Sequence, residues 1–456
     1  MRTLAAFCLL VSIGCAPEEV ASNVEDETEV PCDAIGAEPG RPLAFFSPFD
    51  EVERKAVCVL DKAQHEVVVA HYNIRSAPYL EKLVELKNRN VVVKVAVDLK
   101  NSQEPHNQGD DYLEEHGIPV VRTKPPGDTS IMHLKTAVID GEIMMTGSFN
   151  WNDTASLAND ENMLVLREPE LAARYRDQVL EVLGEQPRNV DGGPVNDMLE
   201  VHHSPEEQLD TILVREIDAA EHTIDVAMFT LTSATVVDAL VRAATQRDVT
   251  VRAVVENKQT GLSDADEKLE AAGVQVVRGA NRIGSYSAMH QKYAVIDQDT
   301  VLTGASNWTY LGTRRNEEDV LILRSADIAA RYRENFGDLL HVYAKLDVDD
   351  APRPERPGVL FKAVYSGTEP GDYVVLTGNR PELGNWDPKR GLAMTTSDSM
   401  FPNWTANMRF EPGARFEYKF VHMKRGGHID WEPGQNRRLE VPRRSVVVSG
   451  NFGSTQ

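Results

Sequence analysis

The chain reads as an α/β protein of two pseudo-symmetric halves that share one cleft, followed by an all-β sandwich module. Three observations predict this: an internal repeat, the same strand–helix alternation in each repeat, and a change to short β-type runs after a proline-rich stretch.

The repeat comes first because it sets the architecture. The segment MHLKTAVIDGEIMMTGSFNW from Met132 aligns without a gap on MHQKYAVIDQDTVLTGASNW from Met289, an offset of 157 residues. The same offset carries Glu161 onto Glu318, Ala172 through Arg176 onto Ala329 through Arg333, and His65 onto His222. Each half then reads in one order: a helix (51–64; 206–221), a buried strand (67–70; 224–227), a second helix and a strand (91–97; 249–255). A His-bearing strand pair and a helix around Ala172 or Ala329 complete it. We place the halves at 43–183 and 195–345, joined through a Gly- and Pro-rich segment. The linker 346–357 contains VDDAPRPERP and is expected to be extended, and 358–456 forms the β-sandwich.

The N-terminus has a different character. Arg2 and the apolar run Leu4–Ile13 fit a signal peptide over residues 1–14, too short to cross a bilayer. Ser12-Ile13-Gly14-Cys15 resembles the lipobox of bacterial lipoproteins, which implies a lipid on Cys15 and a membrane anchor. Residues 15–42 are acidic and poor in large apolar side chains, as in a flexible tether. The expectation is therefore an exported chain, anchored in a bacterial envelope membrane or secreted. There, Cys32 and Cys58 can form a disulfide; the alternative is a reduced Cys58 buried in a helix.

The net charge is −23, and the acidity lies in the first 352 residues. Such a body repels nucleic acid at long range, although a local basic cleft is compatible with it.

The chemistry is carried by HxKxxxxD, present as His133/Lys135/Asp140 and again as His290/Lys292/Asp297. His and Lys two apart on a strand project from one face and can meet one phosphate. Neutral imidazole is a nucleophile near pH 7, and a second imidazole can protonate the leaving oxygen. Each motif is followed, ten residues after its Asp, by Asn150 or Asn307, in GSFN and GASN.

These residues resemble the phospholipase D superfamily with its two HKD motifs, over roughly residues 43 to 345. The resemblance implies both motifs facing one cleft and a ping-pong reaction through a phosphohistidine, without metal or other cofactor. By matching position, His133 is the nucleophile and His290 the general acid, an order that can be reversed. Lys135, Lys292, Asn150 and Asn307 bind phosphate oxygens, and Asp140 and Asp297 support the site and interface. Ser148 donates to phosphate or orients a neighbour, and its counterpart Ala305 departs from the family's Ser or Thr. Glu161 and Glu318 match a carboxylate that hydrogen-bonds the opposing His. Trp151 and Trp308 are read as packing residues, and His65 and His222 as structural. His202-His203 lacks the ligand spacing of a metal site.

The C-terminal stretch with Leu383-Gly384-Asn385-Trp386, Trp404, Glu417 through Phe420, and Trp431-Glu432 with Asn436-Arg437 resembles the starch-binding domain of carbohydrate-binding module family 20. The resemblance makes Trp386 and Trp431 stacking platforms for a starch-like α-glucan. Lys419, Glu432 and Asn436 are its hydrogen-bonding partners, and Trp404 is core.

The expected function is a phosphodiesterase of the phospholipase D type acting on phospholipid headgroups, as a monomer. The alternatives are a metal-independent secreted nuclease, the one reading in which nucleic acid is a partner, and a non-catalytic glucan-binding surface protein.

Overall fold

A computed structural model describes residues 30–187, 192–280 and 282–453. The signal segment 1–14, Cys15 and the tether up to residue 29 lie outside the described residues, as do positions 188–191 of the segment joining the halves.

The first half comprises β1 (Leu43–Ser47), α1 (Val52–Leu60), β2 (Glu66–His71), α2 (Ala77–Asn88), β3 (Val92–Asp98), α3 (Gly109–Glu115) and β4 (Val120–Thr123). It continues through β5 (Lys135–Ile139), β6 (Ile143–Gly147), α4 (Asp153–Leu157), β7 (Glu161–Arg167) and α5 (Pro169–Val182). Its sheet runs β1-β7-β6-β5-β2-β3-β4. The strands β2, β3 and β4 pair in parallel, and β5, β6, β7 and β1 add antiparallel. β2 reads EVVVAH, buried on both faces, as a parallel strand covered by helices must be.

The second half repeats the plan: β8 (Gly193–Pro194), β9 (Leu199–Ser204), α6 (Leu209–Ala219), β10 (Thr223–Met228), α7 (Ala234–Gln246), β11 (Thr250–Glu256), α8 (Asn257–Thr260) and α9 (Ala265–Ala271). Then come β12 (Gln275–Gly279), β13 (Lys292–Ile296), β14 (Thr300–Thr303), α10 (Tyr310–Arg314), β15 (Glu318–Arg324) and α11 (Ala326–Ala344). Its order, β12-β11-β10-β13-β14-β15-β9-β8, is that of the first sheet read in reverse with one short strand added. One core cluster spans both halves: α5 contributes Leu171, Tyr175 and Val179, and α11 contributes Tyr332, Phe336 and Leu339. The outer faces of the two sheets are covered by separate clusters under α1–α2 and α6–α7.

Two boundaries differ from the sequence expectation. The tether does not extend to residue 42: Ile35 is fully buried, Cys32 is disulfide-bonded to Cys58, and Pro39 bridges Arg167. The apolar Ile35 and the cross-link hold residues 30–42 against the first half, despite their acidic composition. The linker, in turn, is attached to the second half at its start. Asp350 shares the Arg252 guanidinium with Asp225, at 2.9 and 2.6 Å.

The C-terminal unit, taken by itself, is a β-sandwich. One sheet contains β16 (Gly358–Val364), β19 (Asn403–Arg409) and β23 (Val446–Asn451). The other contains β17 (Tyr373–Gly378), β18 (Leu392–Met394), β20 (Arg415–Met423), β21 (Ile429–Trp431) and β22 (Arg437–Glu440). Phe361, Phe410, Phe416, Tyr418 and Trp404 fill the space between them.

Candidate functional site

Each HxK strand is held at its start by the other half. The His133 N–H donates to the Glu317 carbonyl at 2.9 Å, and the His290 N–H to the Asp160 carbonyl at 2.9 Å. A carboxylate from the home sheet anchors the preceding residue. Asp98 accepts the Met132 N–H (2.9 Å) and Glu256 the Met289 N–H (2.7 Å).

The imidazoles are oriented across the same interface. His133 Nδ1 lies 2.7 Å from Glu318 Oε2, and His290 Nδ1 lies 2.6 Å from Glu161 Oε2, hydrogen bonds in which the carboxylate accepts when Nδ1 carries the proton. Asn316 and Asn159 donate to the second oxygens of Glu318 and Glu161 (3.0 and 3.1 Å). With Nδ1 engaged, Nε2 is the nitrogen that can meet a substrate; on His290 the Lys292 Nζ lies 3.2 Å from it. Lys135 Nζ and Lys292 Nζ reach the His133 and His290 carbonyls (2.7 and 2.9 Å), folding back beside the rings.

Burial governs the electrostatics. It pulls the Lys135 ammonium down to about 8 and Lys292 to about 7. It draws His290 to about 4, depresses His133 strongly, and raises Glu318 to about 8. The two ammonium groups share a desolvated space with Glu161 and Glu318, and the buried Asn150 and half-buried Asn307 follow the strands β6 and β14. The arrangement can grip a phosphate and present a neutral imidazole to it.

The structure brings together His133, Lys135, His290, Lys292, Glu161 and Glu318. Asp140 and Asp297, grouped with the catalytic set by sequence, are separated from it. Asp140 accepts the backbone N–H groups of Gln64, His65 and Glu66 at 2.8 Å each, and Asp297 those of Glu221, His222 and Thr223 at 2.7–2.9 Å. Both occupy left-handed positions of tight turns, with φ of 51° and 50°. Asp tolerates that backbone, and its short carboxylate reaches the amides entering β2 and β10.

Ser148 is fully buried. Its hydroxyl accepts the Asn162 N–H at 2.9 Å, so it orients a neighbour. At the matching place, the Ala305 N–H donates to Asp319 Oδ1 (2.9 Å). Ser with Asn in one half is exchanged for Ala with Asp in the other. Gly147 and Gly304 have φ of 138° and 141°, and a Cβ at either would sit 2.4 Å from the carbonyl of Asn162 or Asp319. Trp151 and Trp308 are buried, Trp151 stacking on Tyr79 at 4.4 Å. His202 lies between Glu200 and Glu207, 2.7 Å from each.

Sequence reasoning missed the aromatic walls. The Tyr72 ring meets His133 edge-on at 5.0 Å, and Phe229 lies 4.4 Å from His290. The repeat offset pairs these two residues, which is the signal that would have found them.

In the β-sandwich, Trp386 and Trp431 lie side by side with centroids 6.5 Å apart, and Trp431 is 42 % exposed. Lys419 donates to the Glu432 and Gly434 carbonyls, and the exposed Asn436 to Glu417. The Glu432 carboxylate, expected among the sugar contacts, is buried, paired with Arg437 at 2.9 Å and accepting the Phe420 N–H, so it braces the loop. Trp404 is in the core.

The family described as "Cardiolipin synthase, PLD-like domain" matches residues 57–183 and 213–340, and "Starch binding domain" matches 358–450. Among curated relatives, a mitochondrial cardiolipin hydrolase of Chlamydomonas reinhardtii is 33 % identical over 121 residues, 26 % of this chain and 52 % of the relative. An α-amylase of Streptomyces violaceus is 35 % identical over 85 residues, 19 % of this chain and 15 % of the relative. The chain thus spans about half of the first relative and a small part of the second. A phosphatidylserine synthase structure from Haemophilus influenzae shares the fold, with a TM-score of 0.51 at 13 % identity over 65 % of this chain and 86 % of that one.

Proposed function

Since this chain belongs to the cardiolipin synthase, PLD-like domain family and carries a starch-binding domain, we propose that it hydrolyses phospholipid headgroups as a phospholipase D-type phosphodiesterase. The observation that carries this reading is the reciprocal pair His133–Glu318 and His290–Glu161 around two buried lysines.

Lys135 and Lys292 hold the non-bridging oxygens, and Asn150 and Asn307 add amide donors. The neutral Nε2 of one imidazole attacks phosphorus and the bond to the headgroup oxygen breaks, while the other imidazole, protonated on both nitrogens at this step, gives that oxygen its Nε2 proton. The second imidazole then takes a proton from water, whose oxygen attacks phosphorus and breaks the P–N bond. Glu161 and Glu318 keep each ring in the tautomer that presents Nε2. Trp386 and Trp431 stack on the glucose rings of an α-glucan, with Lys419 and Asn436 at the edge of the platform. The leader and Cys15 support export and anchoring, which membrane fractionation of a Cys15→Ala variant tests.

The test of function is headgroup release from phospholipid vesicles, run beside plasmid and single-stranded DNA. Release that disappears in His133→Ala, while adsorption to insoluble starch persists, is the expected result. DNA cleavage without lipid turnover overturns the lipid reading in favour of a nuclease.

A further inference from the structure

The corners that meet the two HxK strands match bond for bond. At the first, the Asn159 side chain accepts the Ala288 N–H (2.9 Å), the Asp160 N–H donates to the Ala288 carbonyl (2.9 Å), and Asn159 donates to Glu161 (3.1 Å). At the second, Asn316 accepts the Ile131 N–H (3.2 Å), the Glu317 N–H donates to the Ile131 carbonyl (3.0 Å), and Asn316 donates to Glu318 (3.0 Å). The side chain at the centre of the first corner has a setting that the repeat does not supply. The Asp160 carboxylate pairs with the Arg282 guanidinium and accepts the Tyr343 hydroxyl. Both members of the ion pair are buried, with side chains 2 % and 1 % exposed. The guanidinium lies over the Phe49 ring at 5.1 Å and over the Tyr343 ring at 5.6 Å.

Both partners of Asp160 come from segments in which the halves differ. The loop before His290, 280–288, reads ANRIGSYSA, whereas the loop before His133, 124–131, reads KPPGDTSI and contains no arginine. Its one cation, Lys124, donates to the Gly127 carbonyl (2.7 Å). Tyr343 stands on the last turn of α11, past the point that matches the end of α5. Its ring packs on Gly279 and Met289: a Cβ at Gly279 would lie 2.9 Å from the ring and 3.1 Å from Met289 Cβ. We propose that Arg282 and Tyr343 are positioning residues for His290, acting through Asp160, and that this clamp serves one imidazole of the pair. The proposal rests on the phosphodiesterase reading for what His290 does, and adds two residues to that site.

The Asp160 carbonyl holds the His290 N–H at 2.9 Å, and the next residue, Glu161, holds the ring nitrogen at 2.6 Å. A turn of this corner therefore displaces the histidine backbone and its ring together. A carboxylate buried without a cation would take up a proton or swing toward water. Arg282 removes both needs, and Tyr343 ties the second oxygen. The arginine is carried by a braced loop: Lys258 Nζ donates to the Ser285 and Ser287 carbonyls (2.6 and 3.1 Å), and the Ser287 hydroxyl donates to the Gly284 carbonyl (2.8 Å). These bonds do not involve the Arg282 side chain, so shortening it leaves the loop braced.

The ring nitrogens of the two histidines report the clamp without any substrate. In nitrogen NMR spectra of the full chain with isotope-labelled histidine, assigned through His290→Gln and His133→Gln, Arg282→Met should shift the His290 Nδ1 and Nε2 resonances and leave those of His133 in place. Tyr343→Phe, which keeps the ion pair and the ring, should shift the same resonances by less. On a soluble phosphodiester, Arg282→Met should lower kcat about tenfold with KM unchanged, the size expected of a partner behind the reacting group. Arg282→Lys, which keeps the charge, should recover part of that loss. Melting temperatures report folding, and if Arg282→Met does not fold, the Tyr343→Phe spectrum decides. His290 resonances that stay in place in the folded variants, or His133 resonances that move equally, overturn the clamp, as does a kcat loss that only tracks the folded fraction. If the unaltered chain splits neither vesicle lipid nor soluble diester, the phosphodiesterase reading fails and the spectra alone judge the clamp.

Discussion

Glu318 of the second half bonds Nδ1 of His133 of the first at 2.7 Å, and Glu161 returns the interaction to His290. Neither half owns a complete oriented imidazole. Glu318→Gln and Glu161→Gln should each lower kcat by on the order of 10²-fold with little change in KM, because the ring loses its tautomer and orientation but the lysines remain. Steady-state kinetics on a soluble phosphodiester checks this. An unchanged kcat in either variant removes the carboxylate from the mechanism.

The alkaline limb of kcat/KM should lie close to neutrality. Burial brings Lys135 to about 8 and Lys292 to about 7, so the ammonium groups proposed to hold phosphate are lost as pH rises through that range. Stability has the opposite trend. For Lys292 the unfolded chain binds more protons between about 7 and its ordinary 10.5, and for His290 between about 4 and 6.5. These groups therefore make the protein more stable as pH rises across both windows. Kinetics and calorimetric melting over one pH series separate the two effects.

Asp140→Ala and Asp297→Ala should act on stability. Each removes a carboxylate bonded to three backbone N–H groups, with an expected cost of about 2–3 kcal/mol. The turnover per folded molecule should be retained. Denaturant titration with activity normalised to the folded fraction distinguishes this from a role at phosphorus.

The repeat and the paired motifs made the halves and the two His–Lys pairs of the cleft legible in the sequence, because a gapless offset constrains position as well as type. The role of Asp140 was not legible. A motif displays which residues recur, and the αL turn and the amides of Gln64 to Glu66 that explain the recurrence exist only once β2 and β5 pair. The tether was misread at Ile35 for a related reason: one apolar residue in an acidic stretch gives no periodicity, yet it is enough to pack. Tyr72 and Phe229 stood at equivalent positions, but an aromatic residue just past a strand announces nothing until its ring is seen beside a histidine.

The same limit applies to Glu432, which the family resemblance placed among the sugar contacts and whose carboxylate is held by Arg437. Trp431→Ala should reduce starch retention at least tenfold with an unchanged melting temperature, since the indole is exposed. Glu432→Ala should instead lower the module's melting temperature by leaving Arg437 buried without its partner. Adsorption assays paired with calorimetry check both.

The exchange of Ser148 and Asn162 for Ala305 and Asp319 goes further than a lost hydroxyl. Asp319 also accepts Thr146 and Tyr175 from across the interface, while Asn162 accepts Thr303. A duplicated gene whose copies carry such complementary changes has become a plug and a socket. Joining two first halves would leave the interface without its carboxylate, and joining two second halves would bury a pair of them. The two halves are alike in backbone and different as mating parts.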